Sequence, residues 1–385
     1  MADATLATAT LAERRIKPPS IRRARFDDYH QIASLETSVG LSPRPREQWI
    51  DLWKNNPAYQ ATPDWPIGWV LEDPDSRRDG RIVGSIGNIP SLYRLGDRTY
   101  LAATFIGWAV DPQYRAFSLM LVTHQLQHPH VDLHIVTTAS PMTEAVFTRL
   151  AWSRVPVGQW NRSAYWVTNY ADALKRYLEK KSPGLISAAA GSLLRAPLLM
   201  MDRISGRKRN FKIDCELAWA EKFDDVFDLF WTERLEGSPA AFLACRTAET
   251  LRWHFQYFLD RDQAWILTAR KGSHVVGYAI LQRKDSPSVG LTRMMLVDFQ
   301  TLDQDQDLCS AMLSSALDRC RRENIHVLEN LGCWTGNLPI AIRPSSHRAL
   351  KSWCYLYKAN NRDLAKSLQT ASVWYPTQYD GDASL

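Results

Sequence analysis

The residues best placed to do chemistry lie between 107 and 121. There Gly107-Trp108-Ala109-Val110-Asp111-Pro112-Gln113-Tyr114-Arg115 runs into Ala116-Phe117-Ser118-Leu119-Met120-Leu121. The apolar stretch Leu101 to Val110 predicts a long strand, and Phe117 to Gln127 predicts a helix. A helix start carries backbone N–H groups with no partner inside the helix, and the helix dipole favours negative charge there, so this junction suits an anion such as a pyrophosphate. Arg115 adds a formal cation at the same place.

The elements that must position this junction occur twice. The first copy opens with a short strand, Ile21 to Arg25, and a helix begun by Phe26-Asp27-Asp28 with Ile32 and Leu35 on one face. The second opens with Lys212 to Trp219, then Phe223-Asp224-Asp225 and the apolar run Val226, Phe227, Leu229 and Phe230. In both, aspartates occupy the first helical turn, where the dipole favours them. A Trp-bearing helix follows, Arg46 to Lys54 or Glu249 to Phe258, then a strand, Gly68 to Glu72 or Ala264 to Ala269. Hairpin partners come next, Arg81 to Ile86 and His274 to Ile280, behind turns at Asp79-Gly80 and Lys271-Gly272. Long strands at Leu101 to Val110 and Val289 to Val297 lead to helices at Phe117 to Gln127 and Asp307 to Arg322. A strand at Asp132 to Thr138, a helix at Met142 to Leu150 and a strand at Arg154 to Trp160 end the first copy. The second continues with Ile325 to Leu331. The order β-α-α-β-β-β-α-β-α-β predicts an α/β fold with a mixed sheet and helices on both faces, not a doubly wound dinucleotide fold. No G-x-G-x-x-G follows a strand.

At the junction the sequence resembles the GNAT superfamily of acyl-CoA N-acyltransferases, whose pyrophosphate loop reads approximately V-x-P-x-Y-R-G-x-G-x-G. Val110, Asp111, Pro112, Tyr114 and Arg115 match, while Ala116, Ser118 and Met120 stand where the family has glycine, and each added side chain limits backbone approach to phosphate. Ala145 to Trp152 is similar to the family's A-x-x-[FY]-x-x-x-G-F segment, with Phe147 where many members carry a proton-donating Tyr. The resemblance implies two tandem GNAT-like domains, at 18–170 and 210–385. A flexible N-terminus at 1–17 and an apolar, basic helical linker at 171–209 complete the chain. It implies acyl-CoA, acetyl-CoA in the first place, as co-substrate, held by Ala109, Val110, Arg115, Ala116, Phe117, Ser118 and Leu119. Direct attack by an amine or hydroxyl acceptor would follow, with the acyl carbonyl on a backbone N–H beside a strand bulge at Val110, and without metal.

An enzyme of this kind needs a base within reach of the acceptor's proton. Glu36, Glu72 and His124 are the candidates, and spacing favours none over its ordinary role as solvated carboxylate or structural imidazole. Tyr114 and Ser140 are the candidate proton donors to the thiolate in place of Phe147; otherwise it leaves unassisted, which its pKa allows. In the second copy Phe299 to Asp307 reads as a loop with Asp303, Asp305 and Asp307 and no cation, so this half is expected to wall an acceptor site or serve structure. The tail, Ser372 to Leu385, is expected to dock as a last strand, with Asp380 and Asp382 near a site as the alternative.

The remaining features narrow the class. With 385 residues, 45% hydrophobic and 23% charged, the chain has material for about two cores. A diffuse net charge of +6 suits anionic ligands and argues against nucleic acid. The six cysteines lack C-x-x-C spacing and read as reduced thiols; Cys333 with His326 or His347 is a weaker nucleophile–base reading. Met1 to Lys17 has no signal-peptide core, so a cytoplasmic protein is expected. The segment 184–209, apolar but broken by Arg195 and Pro197 and flanked by basic residues, reads as an interdomain helix; its alternative is peripheral contact with the inner face of an anionic membrane. Bacterial surface-polysaccharide modification is the acceptor chemistry suggested by analogy of fold. Two rivals stand beside the transferase reading: a GNAT-fold interaction protein without catalysis, and an aminoacyltransferase of the Fem kind. For the latter the sustained heptad of a coiled-coil arm is missing.

Overall fold

The structure is a computed structural model that describes residues 17–75, 80–181, 197, 200, 210–350 and 353–385. The expected flexible 1–17 lies outside the described residues except for Lys17; of the expected linker 171–209, only 171–181, 197 and 200 are described. Among the described residues no helix is long and apolar enough to cross a membrane.

Along the chain run β1 (Ser20–Arg23), α1 (Tyr29–Ser38), α2 (Arg46–Lys54), α3 (Pro57–Gln60), β2 (Gly68–Glu72), β3 (Ile82–Leu95), β4 (Arg98–Val110) and α4 (Ser118–Leu126). Next come β5 (Leu133–Val136), α5 (Pro141–Arg149), β6 (Ser153–Arg154), β7 (Arg162–Val167) and α6 (Tyr170–Lys181). The later part holds β8 (Glu216–Ala220), α7 (Val226–Glu236), β9 (Leu243–Ala244), α8 (Ala248–Leu259), β10 (Ala264–Lys271), β11 (His274–Arg283) and β12 (Arg293–Thr301). It closes with α9 (Gln306–Arg322), β13 (Val327–Leu331), β14 (Ser346–Ala349), β15 (Leu356–Ala359) and α10 (Arg362–Ser367).

The chain divides into two compact units, and β3 and β4 each have residues in both. Unit 1 comprises 1–46, 66–88 and 107–128. In it β1, β2 and the start of β3 pair antiparallel, Val70 facing both Arg22 and Ser85. Asp28 fixes the entry to α1: its carboxylate accepts from the Arg25 N–H at 2.7 Å and from both terminal nitrogens of Arg22, at 2.7 and 2.9 Å. Ile32 and Leu35 of α1 are buried as their spacing predicts.

Unit 2 comprises 47–65, 89–106 and 129–385. A seven-stranded sheet in it has the order β14-β7-β13-β12-β11-β10-β8, antiparallel except for the parallel pair β12–β13. Elsewhere in it β4 pairs parallel with β5, and β15 lies antiparallel between β5 and β6. The halves of the chain therefore exchange strands. β7, from the expected first domain 18–170, pairs with β13, and β15, from the expected second domain 210–385, pairs with β5. The two compact units accordingly do not follow those ranges. Three other expectations also change. The strand expected over Arg154 to Trp160 stops at Arg154, because Pro156 has no N–H to donate and Gly158 turns the chain with φ +83°. Phe299, Gln300 and Thr301 belong to β12 and are buried, leaving only 302–305 as the loop before α9. The tail forms two 3₁₀ turns, Gln378–Asp380 and Asp382–Ser384, and not a strand.

What fixes that tail is a buried ion network. Arg246, between β9 and α8, donates from Nε to Asp298 Oδ2 at 2.8 Å and from Nη2 to Asp298 Oδ1 at 3.2 Å. Its Nη1 donates to the Ala244 carbonyl at 2.8 Å, and Nη2 lies 3.6 Å from Asp380 Oδ2. The Thr377 hydroxyl donates to Asp298 at 2.9 Å, and the Thr377 N–H donates to Asp380 at 2.6 Å. Burial opposes the charge on Asp298, but the guanidinium and its hydrogen bonds hold that carboxyl below the ordinary range. Burial pushes Asp380 up to about 6.

Two measurements follow from this network. Arg246→Met removes the guanidinium that pairs with Asp298 and Asp380 and should cost about 3–5 kcal/mol in urea unfolding. Because Asp380 titrates higher in the folded chain than unfolded, its contribution is complete below its unfolded pKa and is lost as pH rises through about 6. The melting temperature of the wild type should therefore fall relative to Asp380→Asn between about pH 4 and pH 6 and level off above that; a constant difference contradicts this.

Candidate functional site

Unit 1 holds the junction singled out by the sequence. Asp111 N-caps the 3₁₀ turn Pro112–Phe117, accepting from the Gln113 N–H at 3.0 Å, and pairs with Arg81. The turn feeds straight into α4, whose first turn has no side-chain cap. Arg115 and Ala116 are exposed and Leu119 is 47% exposed. The Arg115 guanidinium makes no ion pair among the described residues. An uncapped helix start beside an unpaired cation fits a phosphate. The loop is also partly self-satisfied, since the Ser118 N–H donates to the Arg115 carbonyl and the Tyr114 N–H donates to the Asp111 carbonyl at 2.8 Å. Glycines at 116, 118 and 120 would leave the backbone more open. Ala109 and Val110 end β4 just before this turn, and Phe117 is its last residue. The left-handed residue in β4 is Gly107, with φ +57°, so the strand irregularity expected at Val110 falls three residues earlier.

The four candidate catalytic side chains of unit 1 have different surroundings. Glu72 accepts from Arg22 Nε at 2.7 Å, in the same cluster that holds Asp28, and so is spent on structure. Tyr114 is buried, and desolvation together with the neighbouring Asp73 carboxylate raises its pKa, so its proton is held. Glu36 stands on α1 against the backbone of β4: a Cβ at residue 107 would overlap its Oε1. Burial raises the Glu36 pKa, only partly offset by Arg44. No described residue donates a hydrogen bond to it. His124 is tied by Nδ1 to the Met120 carbonyl at 2.9 Å, with its ring 5.4 Å from that of Trp69.

Candidates in unit 2 mostly prove structural. Ser140 N-caps α5, accepting from the Thr143 N–H at 3.1 Å. Phe147 is buried with its ring 4.6 Å from Trp152. Burial raises the Cys333 thiol, disfavouring a thiolate. His326 is already engaged, its Nδ1 accepting from the Thr292 N–H at 2.9 Å and its Nε2 lying 2.8 Å from Asp172. His347 is exposed on β14. At the start of α9, Asp305 accepts from the Leu308 N–H at 2.6 Å, so a carboxylate of the chain already fills the anion position there. Asp382 accepts from Thr137 and Thr138 at 2.6 and 3.0 Å. Asp380 instead lines a small pocket of about 40 Å³, together with Tyr93, Thr104, Trp253, His254 and Tyr379. Of these, the sequence pointed only to Asp380; the pocket wall comes from several separate stretches of chain with no shared spacing.

The contact between Gly107 and Glu36 is open to test. Gly107→Ala should destabilise unfolding in urea by about 1–3 kcal/mol, from left-handed backbone strain plus the overlap. In a Glu36→Ala background the penalty should shrink to the strain alone, about 1 kcal/mol; an unchanged penalty would mean the two residues do not touch.

No protein-family model and no curated protein sequence matches the chain. Solved structures do. A GCN5-related N-acetyltransferase from Anabaena variabilis aligns over 89% of this chain and 73% of its own, with TM-score 0.52 and 12% identity. A GCN5-related N-acetyltransferase from Kribbella flavida aligns over 88% and 70%, with TM-score 0.52 and 11% identity. The N-myristoyltransferase of Saccharomyces cerevisiae, solved with bound myristoyl-CoA, aligns over 91% and 88%, with TM-score 0.51 and 13% identity. At such identities the likeness speaks to architecture, and with the mixed sheets and repeated elements described above it establishes that this chain has the GNAT fold.

Proposed function

We propose that the protein transfers an acyl group from acyl-CoA to an acceptor, with the coenzyme's pyrophosphate on the 109–120 junction of unit 1. The observation that carries this reading is the uncapped start of α4 beside the exposed Arg115. Arg115 supplies the cation, and the backbone of Ala116 to Leu119 supplies donors at the positive end of the helix dipole. The solved structures of the same fold include N-acetyltransferases and an N-myristoyltransferase holding its acyl-CoA, which agrees with acyl-CoA as donor.

The acceptor's lone pair attacks the thioester carbon directly. The new bond to nitrogen or oxygen forms as the carbon–sulfur bond breaks, and the electron pair leaves with the coenzyme sulfur. Glu36 takes the acceptor's proton. Its burial raises its basicity, with Arg44 only a partial offset, and no described residue donates a hydrogen bond to it. With Phe147 buried and Tyr114 holding its proton, the thiolate leaves unassisted and takes its proton from water. A short acyl chain, acetyl, is the donor we propose to try first.

Calorimetric titration with acetyl-CoA and longer acyl-CoAs is the test. Binding should weaken about tenfold in Arg115→Ala, the loss expected for one charge-assisted contact. Glu36→Gln should bind acyl-CoA as the wild type does and lower kcat about 10²–10⁴-fold. Absence of binding by every acyl-CoA would sink this reading in favour of an interaction protein, to which Ala116, Ser118 and Met120 in the loop already lean.

A further inference from the structure

The two Trp-bearing helices of the repeat, α2 and α8, wall an open groove of about 440 Å³ in unit 2. Their apolar sides are spent on the core, through Trp49, Leu52 and Trp53 on one and Leu251, Phe255 and Phe258 on the other. What reaches the groove comes at one-turn steps along each helix: Glu47, Asp51 and Asn55 from α2 and its end, and Glu249, Trp253 and Tyr257 from α8. An acidic row thus runs alongside an aromatic one.

At one end of the groove the chain itself shows what these rows hold. Arg261 Nη2 lies 3.1 Å from the Glu47 carboxylate, and the same guanidinium sits 3.7 Å from the centroid of the Tyr257 ring. A carboxylate of α2 and a ring of α8 together bind a cation there. One turn along, the pair is repeated by Asp51 and Trp253, which are held side by side because the Trp253 Nε1–H donates to the Asp51 carbonyl at 3.0 Å. At this second place no cation of the described residues pairs with the carboxylate, which accepts from Asn55. Arg252 turns its Nε back to the Ala248 carbonyl at 3.1 Å, and neither Arg46 nor Lys54 lines the groove. Burial raises the Asp51 carboxyl and Glu47, one turn back, adds to this, so the charge is held at a cost that a cation between the helices would relieve. Glu249, a further turn along α8 from Trp253, also makes no ion pair among the described residues.

We propose that the groove is a binding site for a short unbranched diamine, with one ammonium group between Asp51 and the Trp253 indole, the other at Glu249, and the methylenes along the indole. The step from Trp253 to Glu249 is one helical turn, about 5.4 Å, which suits two ammonium groups joined by three or four methylenes. The site lies wholly in unit 2 and is independent of the transferase reading.

The test is calorimetric titration of the full chain at about pH 7.5, where carboxylates are ionised and alkylamines protonated, with 1,4-diaminobutane, n-butylamine or magnesium chloride at equal ionic strength. The diamine should bind one to one, and n-butylamine about tenfold more weakly for want of the second charge-assisted contact. Asp51→Asn and Glu249→Gln should each weaken the diamine about tenfold. Each variant's unfolding midpoint shows that it is folded. No binding of the diamine, or equal binding of n-butylamine, overturns the proposal. Equal binding of magnesium overturns it as well, reducing the groove to a generally acidic surface, and diamine binding unchanged in both variants removes it from this site. Because no acyl-CoA is present, failure here is distinct from failure of acyl-CoA binding.

Discussion

Arg246 is the charge around which unit 2 is organised. Its guanidinium joins a strand of the seven-stranded sheet, through Asp298 on β12, to the carbonyl of Ala244 on β9 and to the 3₁₀ turn that carries Asp380. Its plane also lies over the Tyr379 ring, 4.6 Å from the centroid. Such a network is expensive to desolvate and is retained only when nearly every donor and acceptor is met. Thr377 and Gln300 complete the shell of Asp298, the latter donating at 2.9 Å. The last turns of the chain are consequently seated in the core: Gly381 lies so close to Thr137 that a Cβ there would overlap it.

The two copies of the strand-to-helix junction solve the same local problem in opposite ways. Both long strands end at a helix whose first N–H groups need a partner. Before α9 the chain supplies its own, the Asp305 carboxylate. Before α4 the N-cap residue is Phe117, which has no acceptor to offer, and Arg115 stands free in solvent. A protein carboxylate and an external phosphate compete for one kind of place.

Much of this was legible in the sequence. The repeat could be read because each element carries its own periodicity: Ile32 and Leu35 fix the face of α1, and Trp49 and Trp53 that of α2. The exchange of β7 and β15 could not be read, because strand partners are chosen by contacts distant in sequence and periodicity is silent on them. β7 was missed altogether, its Ser163, Ala164 and Trp166 being buried without a clean alternation. Among the acids of unit 1, spacing could not separate Glu36 from Glu72; the difference arises from Arg22, which claims one, and from Gly107, whose missing side chain makes room for the other. Asp380 was noticed only as part of an aromatic, acidic tail, while its partner Arg246 lies in a connection that resembles no motif.

The central claim, that the junction before α4 receives the acyl-CoA pyrophosphate, is tested most directly by amide hydrogen exchange with and without acetyl-CoA. The account predicts that coenzyme slows exchange at 115–120 and leaves the start of α9, at 306–310, unchanged. Slowed exchange at 306–310 with none at 115–120 would contradict it.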